Sequence, residues 1–471
     1  MLAYALRLGG ETRGTAGRPL GVSYAVLLLA MVLGQLLRIP VVSSAVKTAP
    51  LLGIDIAVSI IWVAVLVHLA LRSGSAVGGP VTLSVVAFTL WALIGSILTT
   101  VRYGLSVSQF MFSTAYLARW LYYFGVYLWA RTRFSGLESL QNGPRFLRGA
   151  ILLFASFGIF QSAFLPDFAF ILHPDAVPYV TWDPQGHRLV STLLDPNLAG
   201  NLIGMGFLLT LPAALRRPRF LEFSSFVFLI AILLTASRGA ILGLFAGGVA
   251  LLVALRPPAI GRLVGRLLVA CSLAIAVSSM VSWITGTSGI VSVTGDFLRN
   301  YNKLSLTDPS ALTRVLQWKT DLDVIAAHPL TGIGFNTWGF VQRYFGFYRV
   351  DTAAFGMDGG LLVIAALTGV VGLVLFLTIV MVPLVHGFRL ARGRRLPEWA
   401  RDLGASAVGC TVLWVVHGFF AATLSYPFLL VAMWLLWAWT DTAWGALIGP
   451  VRLPEPTPEL GSRASPREDR L

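Results

Sequence analysis

An arginine beside a predicted helix start is the feature of this sequence best suited to bind an anion. The segment 235–239, Thr-Ala-Ser-Arg-Gly, separates two apolar runs. Ser237 can cap the second run, whose free amides and helix dipole favour a negative group. Arg238 adds a planar, two-pronged cationic donor at the same place. The pattern indicates a phosphate-binding site. If the run crosses a membrane, an arginine that only extends its charge to the interface fits the same residues.

Polar residues also open the preceding apolar run, 191–215. Arg188 comes just before it, and the segment Asp195–Asn197, with a central proline, lies in its first turns. Inside a membrane a proline frees backbone groups, and Asp and Asn beside it are costly unless they face protein or water. We therefore expect a wet cavity lined by Arg188 and Asn197. The alternative is that Asn197 and Asn201 only pack one helix against another.

Three more polar residues follow these two runs along the chain. Arg314 lies on a predicted amphipathic helix, His328 near the end of that helix, and Asp358 at the start of a later apolar run. Arg314 can supply a second fixed cation and Asp358 a general base. A solvated helix face also accounts for Arg314, and an acid in the first turn of a helix accounts for Asp358. His328 is expected to cap its helix rather than act as a base, and it joins the substrate-binding candidates Arg188, Asn197 and Ser237.

No metal site or cofactor is predicted. Asp321 and Asp323 match a metal-binding D-x-D pattern, but neighbours two apart on a helix point away from each other. Cys271 and Cys410 both fall inside apolar runs. Neither a disulfide framework nor a thiolate metal site is therefore supported.

The elements that carry these residues are predicted to be membrane-spanning helices. Hydrophobic residues make up 56% of the chain, charged residues 12%, and mean hydropathy is +0.78, the balance of a chain whose solvent is mostly lipid. One span needs about 20 apolar residues. The predicted fold class is all-α, a polytopic membrane helical bundle of about twelve transmembrane helices, at 22–37, 49–71, 80–100, 107–130, 147–165, 191–215, 221–235, 238–255, 263–285, 358–386, 403–422 and 424–447.

One transmembrane domain is predicted, residues 1–449, followed by a disordered cytoplasmic tail at 450–471. Most of the 35 Lys and Arg residues fall in cytoplasmic segments if both termini are cytoplasmic, so this orientation in the cytoplasmic (inner) membrane is expected. Short basic clusters facing anionic lipid account for most of the +14 charge, and no nucleic-acid partner is expected. The densest clusters are 131–148, 216–219, 256–266 and 389–401.

Two longer outer segments are predicted, at about 166–190 and 286–357. In the second, Asp308 and Pro309 form a helix start, and apolar residues at helical spacing continue to Ala327. This amphipathic helix is expected to lie on the membrane surface. Aromatic residues interleaved with Arg343 and Arg349 follow it. They fit an interfacial belt or a carbohydrate-stacking platform.

Five short motifs follow one another along the chain: Asp195-Pro196-Asn197, Ser237-Arg238-Gly239, Arg314 ahead of Trp318, the segment from His328 to Gly334, and Gly369-Val370-Val371-Gly372-Leu373. In this order they resemble the bacterial O-antigen ligase and Wzy-type polysaccharide polymerase superfamily of membrane glycosyltransferases. One position departs from the ligases, which usually carry a His-Asn pair where this chain has Asp358-Gly359. That departure is compatible with a polymerase.

The resemblance implies a glycan donor linked to a lipid diphosphate of the undecaprenyl type, and a glycan or lipid acceptor at the outer face. It implies inverting, metal-independent transfer in which Arg238, Arg314 and Arg188 hold the diphosphate, with Asp358 as the proposed base. The resemblance determines neither the oligomeric state nor whether the enzyme is a polymerase or a ligase.

Two other functions are considered. A transporter or flippase of lipid-linked oligosaccharide also suits about twelve spans, although the sequence has no visible related halves. A glycosyltransferase that uses an acid in its first outer loop is disfavoured, because residues 38–48 contain no Asp or Glu.

Overall fold

The computed structural model describes residues 18–43, 48–71, 78–134, 136–172, 188–216, 223–256, 309–346 and 359–448. Several predicted features lie outside these residues: the span 263–285, the parts 286–308 and 347–357 of the second outer segment, Asp358, and the tail at 450–471. Their predictions are untested.

Long helices make up nearly all of the described chain, and every predicted span except 263–285 overlaps one of them. Helix starts follow the local sequence: Pro80 and Pro427 occupy first-turn positions, and Ser106 forms a capping box with Gln109. The helices are α1 (Arg18–Leu33), α2 (Gly53–Leu71), α3 (Pro80–Tyr103), α4 (Val107–Arg133), α5 (Leu137–Phe164), α6 (Phe168–Leu172), α7 (Pro196–Arg216), α8 (Phe223–Thr235), α9 (Arg238–Leu255), α10 (Pro309–Ala327), α11 (Trp338–Val341), α12 (Leu361–Arg392), α13 (Glu398–Gly418) and α14 (Pro427–Leu447).

The described part of the chain is a multi-pass membrane helical bundle. Six of its helices are long and apolar enough to cross a membrane, namely α2, α3, α5, α7, α9 and α12. Two shorter apolar stretches, Gly21–Leu36 and Phe223–Thr235, add to them. The total of about twelve spans remains a prediction.

A short β-hairpin between α1 and α2 was not predicted. Strands β1 (Arg38–Ser43) and β2 (Thr48–Leu52) pair antiparallel, with Arg38 opposite Leu52 and Pro40 opposite Pro50. Both prolines are excluded from a helix interior because they lack the N–H donor and clash with the preceding turn. A two-stranded hairpin tolerates them, since each strand has an open edge.

Glycines let α9 approach α13 closely. Gly239, Gly243 and Gly247 repeat at four-residue spacing on one face of α9, which was expected to admit a neighbouring helix. A Cβ on Gly247 would lie 2.5 Å from the Gly409 carbonyl oxygen of α13, and one on Gly243 would lie 3.0 Å from the Leu413 carbonyl oxygen. The helix that carries Arg238 is therefore fixed against α13 along its length.

Polar contacts tie the helices together where α7 ends. Arg216, in the last turn of α7, forms an ion pair of 2.9 Å with Glu398 and another with Asp402 of α13. Nearby in the bundle, the Asp441 carboxylate of α14 accepts a hydrogen bond from the Tyr127 hydroxyl at 2.6 Å and lies 2.7 Å from His386 Nδ1. These contacts lie among the predicted cytoplasmic arginine clusters.

Helix α12 is broken at Gly369, and a loop fills the break. Gly369 has φ 71° and ψ −179°, which is not helical. The Ile333 and Gly334 amides of the loop 329–334 donate to the Ala366 and Leu367 carbonyls at 3.0 and 2.9 Å. The Val370 amide in turn donates to the Pro329 carbonyl at 2.8 Å. Helix and loop therefore satisfy each other's backbone groups, as apolar surroundings require.

We expect Gly369→Ala to destabilise the protein by at least about 3 kcal/mol, because this backbone region is almost restricted to glycine and a Cβ would overlap the Leu330 carbonyl. Gly248→Ala is the matched control, since no heavy atom lies within 4 Å of a Cβ there. Thermal unfolding in detergent measures both. Equal midpoints for the two variants would mean that the break is not required.

Candidate active site

The first turns of α7 and α9 are capped and linked to each other. Asp195 Oδ1 accepts hydrogen bonds from the Asn197 and Leu198 amides at 2.7 and 3.1 Å, which caps α7. Ser237 Oγ accepts the Ala240 amide at 3.3 Å, which caps α9, and donates to Asn197 Oδ1 at 2.8 Å. Two helix N-termini therefore lie side by side, and their dipoles both favour negative charge there.

Arg188 lies against the end of α8, two residues before the α9 cap. Its Nε donates to the Thr235 carbonyl at 2.8 Å, and the next amide, of Leu189, donates to the Leu234 carbonyl at 2.9 Å. The Arg188 charge is also close enough to act electrostatically on Asp195. The residue is half-buried.

Arg314 reaches the same region from α10. Its Nε donates to the Phe420 carbonyl at 3.2 Å, and Trp318, one turn further along α10, donates through Nε1 to the Phe419 carbonyl at 3.1 Å. Phe420 also packs on α9, because a Cβ on Gly239 would lie 2.7 Å from Phe420 Cβ. The turn after α13 therefore joins the helices that carry Arg238 and Arg314.

Five of the predicted site residues are brought together in this way, although they come from three separate segments of the chain. Three of them are half-buried arginines, so three positive side chains lie near the N-termini of α7 and α9, whose dipoles are also positive. Such an arrangement favours a multiply charged anion with several oxygens, because each guanidinium can donate two parallel hydrogen bonds. The five residues are Arg188, Asn197, Ser237, Arg238 and Arg314.

His328 lies away from these residues, at the opposite end of α10 from Arg314. The 14 residues between them correspond to about 21 Å of straight helix. Arg102 Nη1 donates to His328 Nδ1 at 2.5 Å, and His328 Nε2 lies 2.6 Å from the Tyr103 hydroxyl. Because arginine can only donate, Nδ1 accepts and Nε2 carries the proton. Burial and the Arg102 charge lower the pKa of His328, which keeps the ring neutral.

The proposed base, Asp358, lies outside the described residues. Its neighbour Gly359 contacts α10, because a Cβ there would overlap the Asp321 carboxylate. Asp321 is fully buried whereas Asp323 is exposed, so the two aspartates of the D-x-D pattern do face different sides. Asp321 was considered only as half of the D-x-D pattern, although its position seven residues after Arg314 indicates a shared helix face.

Another buried acid, Asp55, follows the hairpin directly. Arg119 donates to it from Nη2 at 2.6 Å and from Nε at 3.2 Å, the Tyr123 hydroxyl donates to Oδ1, and the Leu52 amide donates to Oδ2 at 2.8 Å. Both carboxylate oxygens are thus occupied. A buried, fully hydrogen-bonded pair of this kind holds helices together, and it leaves Asp55 no oxygen dedicated to a substrate.

Residues 223–377 match the family model described as O-antigen ligase. Over this third of the chain the protein is similar to that family, and we call residues 223–377 the O-antigen ligase domain after it. The match confirms the resemblance to the O-antigen ligase and Wzy-type polymerase superfamily and supports a membrane enzyme of that type. The comparison with curated proteins gave no match.

The O-antigen ligase domain contains Ser237, Arg238, Arg314 and His328 and ends just after the α12 break. Arg188 and Asn197 precede it. Both contact its residues, Arg188 through Thr235 and Asn197 through Ser237. The candidate site therefore extends beyond the O-antigen ligase domain into α7 and the segment before it.

We expect stability to fall on acidification through the titration of His328. The pKa of His328 is lowered in the folded protein, so the unfolded chain binds more protons as the pH falls. The contribution of His328 to folding stability is therefore complete above the unfolded pKa of about 6.5 and is lost as the pH falls below it. In His328→Asn the amide oxygen can still accept from Arg102 but does not titrate. Unfolding midpoints between pH 7.5 and 5 should fall less for the variant, and parallel curves would contradict the assignment.

Proposed function

We propose that this protein is a membrane glycosyltransferase that transfers or polymerises glycan from an undecaprenyl-diphosphate-linked donor at the outer face of the cytoplasmic membrane. The observation that carries the proposal is the convergence of Arg188, Arg238 and Arg314 on two capped helix N-termini. The O-antigen ligase domain supports the same function.

In the proposed reaction an acceptor hydroxyl oxygen attacks the anomeric carbon of the donor sugar with inversion. The bond from that carbon to the diphosphate breaks, and its electron pair leaves with the diphosphate. Arg238, Arg314 and Arg188 stabilise the charge that develops there, since preorganised cations cost no reorganisation during the step. The acceptor proton passes to Asp358. The mechanism uses the arginines in place of a metal and needs no cofactor.

The proposed partners are the lipid-linked donor, a glycan or lipid acceptor and the surrounding lipids. The carrier's long apolar tail would stay in the bilayer, so the donor is expected to enter from the side. Apolar side chains of α10 suit such surroundings, because Val315, Leu316 and Leu322 are left exposed by the protein while Thr320 and Asp321 are buried.

A flippase or transporter of the same lipid-linked oligosaccharide is the second candidate, because transporters also use broken helices. In transporters the carbonyls at a break coordinate ions or substrate. At the α12 break the Ala366 and Leu367 carbonyls accept hydrogen bonds from the loop 329–334, and the Thr368 carbonyl accepts one from Trp91 Nε1 at 2.9 Å. This pairing favours a structural role for the break, and so favours the enzyme.

We expect tags inserted at Gly136, between α4 and α5, and after Arg394 to be shielded from an impermeant reagent in intact cells, and a tag near Gly289 to be labelled. The expectation rests on the Lys and Arg asymmetry between the two sides. Labelling after Arg394 without labelling near Gly289 would reverse the proposed orientation and exclude chemistry at the outer face.

We expect Arg238→Lys to slow glycan transfer by roughly two orders of magnitude at unchanged abundance, because lysine keeps the charge but loses the two-pronged donor, worth about 3 kcal/mol in the transition state. The assay is transfer by purified protein from a lipid-diphosphate donor in liposomes. Arg256→Lys, at the other end of α9, is the matched control and should transfer normally. Normal transfer by Arg238→Lys would show that Arg238 does not contact the diphosphate. That result would favour the transporter hypothesis.

A further inference from the structure

Three fully buried polar side chains lie near the end of α13. They have no hydrogen-bond partners among the residues that the structure describes. They are Asn201 of α7, His417 in the last turn of α13, and Thr423 in the turn that follows. The atoms concerned are both amide atoms of Asn201, both ring nitrogens of His417 and the Thr423 hydroxyl. Unpaired buried polar atoms are few in native proteins, and each one lowers stability.

Contacts between neighbouring helices place these three residues at neighbouring positions of the bundle. On the face shared by α7 and α13, Ser406 Oγ donates to the Leu208 carbonyl at 3.0 Å, and a Cβ on Gly204 would lie 2.6 Å from Leu413. Because the two helices run in opposite directions, this register puts Asn201 opposite the turn that ends in His417. Thr423 Oγ1 would lie 3.4 Å from a Cβ on Gly418, the next residue after His417.

The arginine site lies directly beside this cluster. His417 Cβ would lie 3.3 Å from a Cβ on Gly243 of α9, and the Arg314 charge is near enough to act on the His417 ring. The His417 carbonyl accepts the Phe420 amide at 2.9 Å, and the Phe420 carbonyl accepts Arg314. The turn at Phe420 therefore joins the backbone of His417 to Arg314.

The chemistry of the three groups indicates a hydroxyl ligand rather than a phosphate. An amide, a neutral imidazole and a hydroxyl each offer both a donor and an acceptor, and a hydroxyl group of a ligand does the same. Phosphate oxygens only accept, so they would leave the Asn201 carbonyl oxygen and one His417 nitrogen unpaired.

We propose that Asn201, His417 and Thr423 bind hydroxyl groups of the sugar that the donor diphosphate carries. The proposal rests on the proposed function, in which the arginines hold the diphosphate next to this cluster. All three residues lie outside the O-antigen ligase domain at 223–377. Because all three side chains are buried, the sugar reaches them only when the packing around them changes, and their unmet hydrogen bonds then become the basis for selecting that sugar.

The test replaces two members by apolar side chains of similar size, His417→Phe and Asn201→Leu, and measures unfolding, transfer and binding of undecaprenyl diphosphate without a sugar. We expect an unchanged or higher unfolding midpoint, because unpaired polar atoms are removed. Transfer should fall at least tenfold through a higher KM for the sugar-bearing donor. Binding of the sugarless diphosphate should stay normal. His417→Gln, which restores a donor and an acceptor, should recover part of the transfer.

Two controls keep the outcomes distinct. Ser225 also has an unpaired buried hydroxyl among the described residues but lies at the start of α8, ten residues before Thr235, so Ser225→Ala should alter transfer by less than twofold. Unchanged transfer in His417→Phe and Asn201→Leu would overturn the proposal. A lowered midpoint with loss of sugarless binding would also overturn it, because the groups would then hold a structural water. The binding of undecaprenyl diphosphate without a sugar by Arg238→Lys tests the proposed function alone. Weak binding there is compatible with either outcome for His417→Phe and Asn201→Leu.

Discussion

A backbone polar group inside a bilayer has to find its partner within the protein, and that requirement shapes both distinctive regions of this chain. At the starts of α7 and α9 the free amides are capped by Asp195 and Ser237. At the α12 break the exposed carbonyls are paired by the loop 329–334. In each case a polar feature is tolerated because a neighbouring segment completes its hydrogen bonds. The capped starts of α7 and α9 differ from the α12 break in one respect. The positive ends of two helix dipoles lie side by side at these starts.

The arginines add to that field and are themselves held by backbone. Arg188 and Arg314 each donate Nε to a carbonyl, of Thr235 and Phe420. A guanidinium that a backbone carbonyl already holds in place loses less side-chain entropy when it contacts a ligand. Fixed cations of this kind suit a leaving group whose charge grows during the reaction. The glycine contacts of α9 with α13 keep Arg238 in register with the turn at Phe420, so the field depends on close helix packing as much as on charge.

Hydropathy and helix-start signals predicted most of the bundle, because Pro309, Ser237 and the apolar runs act locally. The hairpin was missed because residues 38–48 were interpreted as a loop and residues 49–52 as the start of an apolar span, and only the two prolines argue otherwise. The three arginines were predicted as candidates from their residue types. The hydrogen bond from Arg314 to the Phe420 carbonyl could not be predicted, because a backbone carbonyl 106 positions away has no sequence signature. His417 and Asn201 were hidden for a related reason: a single polar residue inside an apolar run reads as helix packing until its partners are known.

The motif pieces that carry the family resemblance serve two different purposes. The segment from His328 to Gly334 and the pair Gly369 and Gly372 build the broken helix and its filling loop, which is a matter of backbone shape. Ser237, Arg238 and Arg314 supply charge. Because a broken helix imposes strict backbone angles, its glycines have few substitutes, whereas hydroxyl-binding residues can change with the sugar. A family model is therefore expected to follow the scaffold and the diphosphate contacts more closely than the sugar contacts. Ser237, Arg238 and Arg314 lie inside the matched segment and Asn201, His417 and Thr423 outside it, as that division predicts, whereas the diphosphate contact Arg188 also lies outside.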